Sequence, residues 1–426
     1  MRLSHLLFFV VLLWGNTPAV NAVTEAPHFY AFLPSSPLSS TKQQLQTRVE
    51  KPQTRLAYRQ LLSRADRVLN IPNPTVIEKK SMPPSGSRHD YLSLSAYWWP
   101  DPSKADGLPW VRRDGDVNPA SKDEQSDGIR LATFTSQVQV LVLAWYFSDN
   151  QAYADKAISM VRTWFLDPAT RMNPNLNYAQ GVPGIASGRG AGVLDGRYFA
   201  TRLVDSLIML RSASGWTQRD EQRMQLWMTD YLHWLQFSEL GKKEAAAKNN
   251  HGSWYTVQVA GVAWYLGKND VVKSMSELLK QKLDHQLMPD GSQPEELART
   301  RSFHYSYFNL QAVTYMAILA SRVDENLWQY RTARGSSLLK ALDFMAPYLD
   351  ENKPWPHKTM DRQSSRLIPL LLQMERELKT TRYLAQMKQA GFGALLSGEN
   401  DGSQENERGI ISAETRRAIW LLSSAG

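Results

Sequence analysis

From Leu131 onward, apolar residues return at three- and four-residue spacing in one segment after another, the period that gives a helix one buried face. The segments read "FTSQVQVLVLAWYFS", "QAYADKAISMVRTWF", "RYFATRLVDSLIMLRSA", "QRDEQRMQLWMTDYLHWLQF", "SWYTVQVAGVAWYLG", "DVVKSMSELLKQKLDHQL", "YFNLQAVTYMAILASRV", "SLLKALDFMAPYL" and "SRLIPLLLQMERELKTTRYLAQM". Turn-type breaks such as "SDN", "SASGWT" and "GKND" separate several of them, and Thr217 followed by Asp220 predicts a capping box at a helix start. Strand alternation is nearly absent. Such a series predicts an all-α chain of antiparallel helix hairpins that close into a barrel or toroid or stack as a solenoid.

The pattern is different before Leu131. Residues 1–22 carry Arg2, an apolar run from Leu6 to Trp14 and small residues at Ala19 and Ala22, which predicts a secretory signal peptide. That run is too short to span a bilayer and no later run approaches the needed length, so the expected product is periplasmic or secreted, without a membrane anchor. Residues 23–90 read as an N-terminal arm packed on the main body, and residues 91–426 as one large helical domain. Within it, "YLSLSAYWWPDPSKADGLPWVRRDGDVNP" is too rich in Trp, Pro, Gly and Asp for continuous helix and predicts an ordered loop region.

Composition narrows the chemistry. The 426 residues contain no cysteine, which excludes disulfides, thiolate metal sites and a cysteine nucleophile. A formal charge of +8 either favours polyanionic partners, which for an exported protein are acidic polysaccharides, lipid headgroups and nucleic acid, or only keeps the protein soluble.

Four places interrupt the helical pattern with aromatic, amide and charged residues, where loops on a rigid scaffold tend to carry function. In "YWWPDP", Trp98 and Trp99 are candidate stacking faces for sugar rings, or alternatively a plug at the end of the core. In "NPNLNYAQGVPGIASGRGAG", Gln180 and Arg189 are candidate ligand contacts beside glycines that permit close backbone approach. In "KNNHGSW", a helix is expected to end near Asn249 and leave Asn250 and His251 at the break. In "DGSQPEELARTRSFHYSYFNLQ", Arg299, Arg301, His304, Tyr305 and Tyr307 fall within one short span, as a site or as a solvated helix face.

These residue types suit β-elimination on a uronic-acid polymer. The C5 proton beside a carboxylate is a very weak acid, so donors must first stabilise the charge that develops on that carboxylate. A base then takes the C5 proton and an acid protonates the departing O4. Asn250 and Arg299 are suitable carboxylate clamps, and His251 and Tyr305 suit proton transfer. Tyrosine is a poor base in water, so nearby cations such as Arg299 would have to favour its phenolate. Where the C5 hydrogen and O4 share a face, as in mannuronate, one tyrosine serves as base and acid in turn; where they lie on opposite faces, a separate base such as His251 is needed.

Together "YWWPDP", "GVPGIASGRG", "NNHGSWYTVQ" and "DGSQPEELARTRSFHYSYFNL" resemble the alginate-lyase-like polysaccharide lyases, an (α/α) toroid family that includes alginate and glucuronan lyases. The resemblance implies a polysaccharide lyase with no required metal or cofactor, acting on alginate or glucuronan, with no nucleic acid partner. It also implies that Asn250 and Arg299 neutralise the uronate carboxylate, that Tyr305 is the proton donor, and that His251 is an alternative base or orients Tyr305. Arg301 and Tyr307 are rival assignments within "RTRSFHYSY", a segment about one residue shorter than in better-known alginate lyases. Two other classes fit in part. An inverting glycoside hydrolase would use two of Asp195, Asp290, Glu295 and Glu296, and a non-catalytic binder of acidic polysaccharides would dispense with the base.

Overall fold

A helix that is apolar on every side must be covered on every side, and three helices among the described residues are of this kind. In the computed structural model, which describes residues 30–391 and 422, they are α3 (Gly128–Ser148), α8 (Asn250–Tyr265) and α11 (Ser302–Ala320). The predicted signal peptide lies outside the described residues. In α8 all but two of the sixteen residues are buried. By contrast α2 (Pro52–Leu69), α6 (Gln218–Phe237) and α9 (Asn269–Gln286) bury one stripe each and leave charged residues outside.

The two kinds pack against each other: α2 lies on α3, α6 on α8, and α9 on α8 and α11. Shorter helices join them in chain order. These are α1 (Ser35–Thr47), α4 (Gln151–Val161), α5 (Asp205–Leu210), α7 (Glu239–Ala245), α10 (Pro294–Leu297), α12 (Leu338–Met345), α13 (Ile368–Leu378) and α14 (Leu384–Gln389). The capping box at the start of α6 is formed: the Thr217 hydroxyl accepts from Asp220 N–H, and the Asp220 carboxylate accepts from Thr217 N–H at 3.0 Å.

Two segments that the periodicity reads as plain α-helix contain a wider π-helical turn, Arg162–Leu166 after α4 and Phe199–Val204 before α5. Both turns feed aromatic side chains to one cluster. Phe165 meets Trp227 edge-on at 4.5 Å, Phe199 meets Tyr231 edge-on at 5.2 Å, and Trp164 stacks on Phe134 at 4.6 Å.

The N-terminal segment is fastened by one buried side chain. Asp205, at the start of α5, accepts backbone N–H bonds from Ala31, Phe32 and Leu33 at 2.5, 3.0 and 2.9 Å. Burial nonetheless holds its carboxyl up at about 6, because desolvation outweighs the three donors.

The Trp-rich region is ordered as two small ribbons. β1 (Leu92–Leu94) pairs in parallel with β4 (Tyr178–Gly181), and β2 (Trp98–Trp99) pairs antiparallel with β3 (Val111–Arg112). These ribbons bring the Trp pair and the long connection before α5 toward the first turns of α8 and α11.

Candidate active site

The break at "KNNHG" is a helix start. α7 stops at Ala245, and Asn249 is the N-cap of α8, its side chain accepting from His251 N–H. Asn250 and His251 therefore sit in the first turn of α8, not at a break before it as the sequence predicts. The reason is the short linker that follows Ala245, drawn tight by Lys282, whose Nζ donates to Ala245 O at 2.6 Å and Ala247 O at 2.9 Å. Gly252 completes the fit, since a Cβ there would lie 2.1 Å from Ala247 O.

Two carboxylates stand behind this turn. Glu296 of α10 accepts from Asn250 N–H at 2.6 Å and from Asn250 Nδ2 at 2.8 Å. Asn250 is 0% exposed. His251 Nδ1 lies 2.7 Å from Glu244 Oε1. Burial works against a charged imidazole, but Glu244, helped by Glu296, outweighs it and the His251 pKa is raised. Burial also pushes the Glu296 carboxyl up to about 7 against the pull of its Asn250 bonds, His251 and Arg299.

The frame behind them is uncharged. Gln286 of α9 donates to Asn249 O and bonds Ser253, while Asn309 of α11 donates to Gln286 Oε1 at 3.1 Å and to Gln293 Oε1 at 2.8 Å. This buried amide network ties α8, α9, the segment before α10 and α11 together.

The other half of the site is the start of α11. Arg299 gives Asp114 a two-nitrogen clasp, with Nη2 2.6 Å from Oδ1 and Nε 3.2 Å from Oδ2, and its guanidinium lies 3.8 Å from the centre of the Tyr305 ring. Thr300 N–H and hydroxyl also donate to Asp114, and these bonds with Arg299 hold its carboxyl far below the usual range although burial opposes them. Tyr305 donates to the Tyr97 hydroxyl at 2.9 Å, and Arg301 Nη1 approaches the same oxygen at 3.4 Å while pairing with Asp361. Burial and then Tyr97 raise the Tyr305 pKa well above 10, outweighing Arg299. The unliganded site therefore holds a phenol, where the sequence reading asks the cations for a phenolate.

Tyr307 takes a hydrogen bond from Arg366 at 2.5 Å. His304 stands edge-on to both Tyr305 and Tyr307 at 5.1 Å, and burial with Arg301 and Arg366 lowers its pKa to about 3, which keeps it neutral.

The ribbons close the circuit. Trp98 and Trp99 are half-buried on a strand pair, not plugged into the core, and face guanidiniums: Arg189 5.7 Å from Trp98 and Arg113 5.1 Å from Trp99. Arg189 in turn feels Glu244, the carboxylate that holds His251. Gln180 is set apart, its amide donating to Asp195 at 2.8 Å and its backbone to Ser93. Tyr97, Glu244, Asp114 and Asp361 are not among the site residues that the sequence points to, and Glu296 is named there only as a possible hydrolase carboxylate. Tyr97 lies inside "YWWPDP" and Glu244 seven residues before His251, whereas Asp114 is 185 residues from Arg299 and nothing local marks it.

The fold is an (α/α) toroid, and its cleft of arginine, histidine, amide and tyrosine side chains has the make-up of a polysaccharide lyase. The alginate lyase family model matches residues 75–355, and the chain belongs to that family. A crystal structure of an alginate lyase from Bacteroides ovatus is 32% identical, covers 93% of this chain and 99% of its own, and superposes with a TM-score of 0.82. Alginate lyase A1-III from Sphingomonas species A1 shares the fold at 15% identity, with a TM-score of 0.55 over 88% of this chain and 94% of its own. A variant of A1-III complexed with a tetrasaccharide shares it at 15% identity and a TM-score of 0.51, over 96% and 99% of the two chains. No curated protein matches the chain. Family membership makes this a polysaccharide lyase and implies an acidic polysaccharide as its substrate. No helix among the described residues is long and apolar enough to cross a membrane.

Proposed function

We propose that the enzyme cleaves a 1,4-linked uronic-acid polymer whose C5 hydrogen and O4 share a face, polymannuronate or glucuronan, by β-elimination. The observation that carries this reading is the stacking of Arg299 on Tyr305 beside the Asn250–His251 turn. Arg299 is clasped by Asp114 but keeps its guanidinium on the Tyr305 ring, whereas Arg301 pairs with Asp361 and reaches only the Tyr97 hydroxyl, and Tyr307 bonds Arg366.

In this mechanism Arg299 and Asn250 hold the uronate carboxylate and stabilise the negative charge that builds on it. Tyr305 loses its hydroxyl proton through the Tyr97 oxygen to solvent, and the Arg299 cation against its ring favours the resulting phenolate. The phenolate takes the C5 proton, the C–H electrons form the C4–C5 double bond, and the C4–O4 bond breaks. The regenerated phenol then protonates O4, leaving a 4,5-unsaturated uronate on one fragment and a new 4-hydroxyl on the other.

A second reading is favoured by the Glu244–His251 hydrogen bond. There His251 takes the C5 proton, Glu244 stabilises the imidazolium, and Tyr305 only donates, which fits an opposite-face substrate such as guluronate. The leader pattern of residues 1–22 supports action outside the cytoplasm, in the periplasm or beyond.

The test is to incubate the protein with polymannuronate, polyguluronate, glucuronan and hyaluronan and follow the ultraviolet absorbance of unsaturated uronate. Cleavage of polymannuronate or glucuronan, but not polyguluronate, is expected. Preference for polyguluronate moves the base to His251, and new reducing ends without absorbance overturn the lyase mechanism in favour of hydrolysis.

A further inference from the structure

The Asn250 amide is bonded on one side only. Its Nδ2 donates to Glu296 Oε2, whereas its Oδ1, on the opposite side of the amide, is buried and has no hydrogen-bond partner. Buried side-chain oxygens are rarely left this way. The orientation also conflicts with the clamp role, because the edge turned away from Glu296 is a carbonyl oxygen, which repels a uronate carboxylate.

Rotating the amide by half a turn presents the NH2 group instead, but places Oδ1 against Glu296 Oε2. Two acceptors then face each other unless that carboxyl carries a proton. We propose that Glu296 is a positioning residue that acts as a neutral acid: its Oε1 accepts Asn250 N–H, its Oε2–H donates to Asn250 Oδ1, and both Nδ2 protons are freed for the substrate's carboxylate. The inference rests on Asn250 being a carboxylate clamp.

The surroundings favour the neutral acid. Glu296 is 1% exposed, and its carboxyl is pushed up to about 7. The charged groups that face it are His251 from α8 and Arg299 from the turn before α11, both of which favour its ionised form. Each is already paired, His251 with Glu244 and Arg299 with Asp114, and Lys282 of α9 faces Glu244. An arriving uronate carboxylate adds negative charge nearby and raises the proton affinity of Glu296 further, so binding takes up a proton.

Glu296→Gln tests this, because glutamine is the fixed isostere of the neutral acid: its Oε1 accepts Asn250 N–H and its Nε2 donates to Asn250 Oδ1. In the wild type kcat/KM should fall about tenfold per pH unit above the Glu296 midpoint, a one-proton limb. In Glu296→Gln that limb should vanish, so that the variant overtakes the wild type by pH 9, while Glu296→Ala should lose activity at every pH. His251, whose pKa Glu244 raises, is intact in both proteins, so the difference between their profiles isolates the share of Glu296.

A second readout needs no turnover. Calorimetric binding of a uronate oligomer to Tyr305→Phe at pH 8, in buffers of different ionisation enthalpy, should report an uptake that is greater, by up to one proton, than with Glu296→Gln added, any share of His251 being common to both. Glu296→Gln as inactive as Glu296→Ala, an unchanged pH profile, or equal proton uptake would each overturn the inference and leave the second Nδ2 proton as the sole donor. A wild type that binds uronate but makes no unsaturated product fails as a lyase, while the proton count still decides the role of Glu296.

Discussion

Where α8 begins, Asn250 and His251 lean on carboxylates that are almost fully enclosed, Glu296 at 1% and Glu244 at 3% exposure. Where α11 begins, Arg299 and Arg301 lean on Asp114 and Asp361, whose side chains keep 20% and 33% of their surface. In the first region burial dominates at Glu296 and pushes its carboxyl up to about 7. In the second, multidentate arginine contacts dominate and hold both aspartates below their ordinary range, although burial opposes them. One half of the cleft therefore changes charge near neutral pH and the other is fixed. That division suits a reaction that must bind a permanent anion and also move a proton.

The largest break in this comparison is Tyr305→Phe, on the fixed side. It removes the transferred proton and little volume, so kcat should fall by roughly 10³-fold or more while oligomer binding by calorimetry stays within about threefold. Activity near wild type would move the proton-transfer role to Tyr307 or His251. Next is Arg299→Ala, which removes the cation from both the substrate and the Tyr305 ring. A loss of about 10²- to 10³-fold in kcat/KM is expected, with KM and kcat both damaged. An effect confined to thermal stability would reduce Arg299 to a structural partner of Asp114.

Stability against pH sharpens the contrast, because the two carboxylates carry opposite signs. The folded pKa of Asp114 lies below its ordinary 3.8, so its contribution is present above that value and is lost as the pH falls through the depressed one. The folded pKa of Glu296 lies above its ordinary 4.5, so its contribution is present below 4.5 and lost as the pH rises through about 7. Urea unfolding of the wild type should therefore show a loss between pH 5 and pH 8 that Glu296→Gln lacks, on the order of 3 kcal/mol. Parallel curves for the two proteins would mean that Glu296 is ionised in the native state at pH 5.

The smallest expected effect is at the rim. Trp98→Ala removes a half-buried face stacked near Arg189 and should raise KM by about five- to tenfold with kcat nearly unchanged. A loss confined to kcat would place Trp98 at the reacting sugar.

The helical scaffold was largely legible because it rests on local signals. The period of α6, the capping pair Thr217 and Asp220, and the predominantly apolar runs of α8 and α11 each act within a few residues. The helix boundary at "KNNHG" was misread for an equally local reason. Asn249 as an N-cap and an amide cluster as a helix end look alike until Lys282, from α9, draws the linker closed. The groups that set the site's charge were the least legible. Glu296 is 46 residues from Asn250, and Tyr97 is 208 from Tyr305, so only the closed fold makes them neighbours. Glu296 attracted notice in the sequence only as a possible hydrolase carboxylate, a role that its burial against Asn250 contradicts.

The amide network of Gln286, Asn309 and Gln293 has a consequence for how the enzyme meets changing surroundings. Its members neither ionise nor attract counterions, so brine and acid act on the reacting groups without loosening the mount that holds them. A lyase so constructed should lose and regain activity reversibly across a swing in acidity, resembling an instrument whose reading drifts while its frame holds true, and the protection of the Ser253 and Asn309 amides, corrected for the pH dependence of intrinsic exchange, should fall by no more than the global stability does.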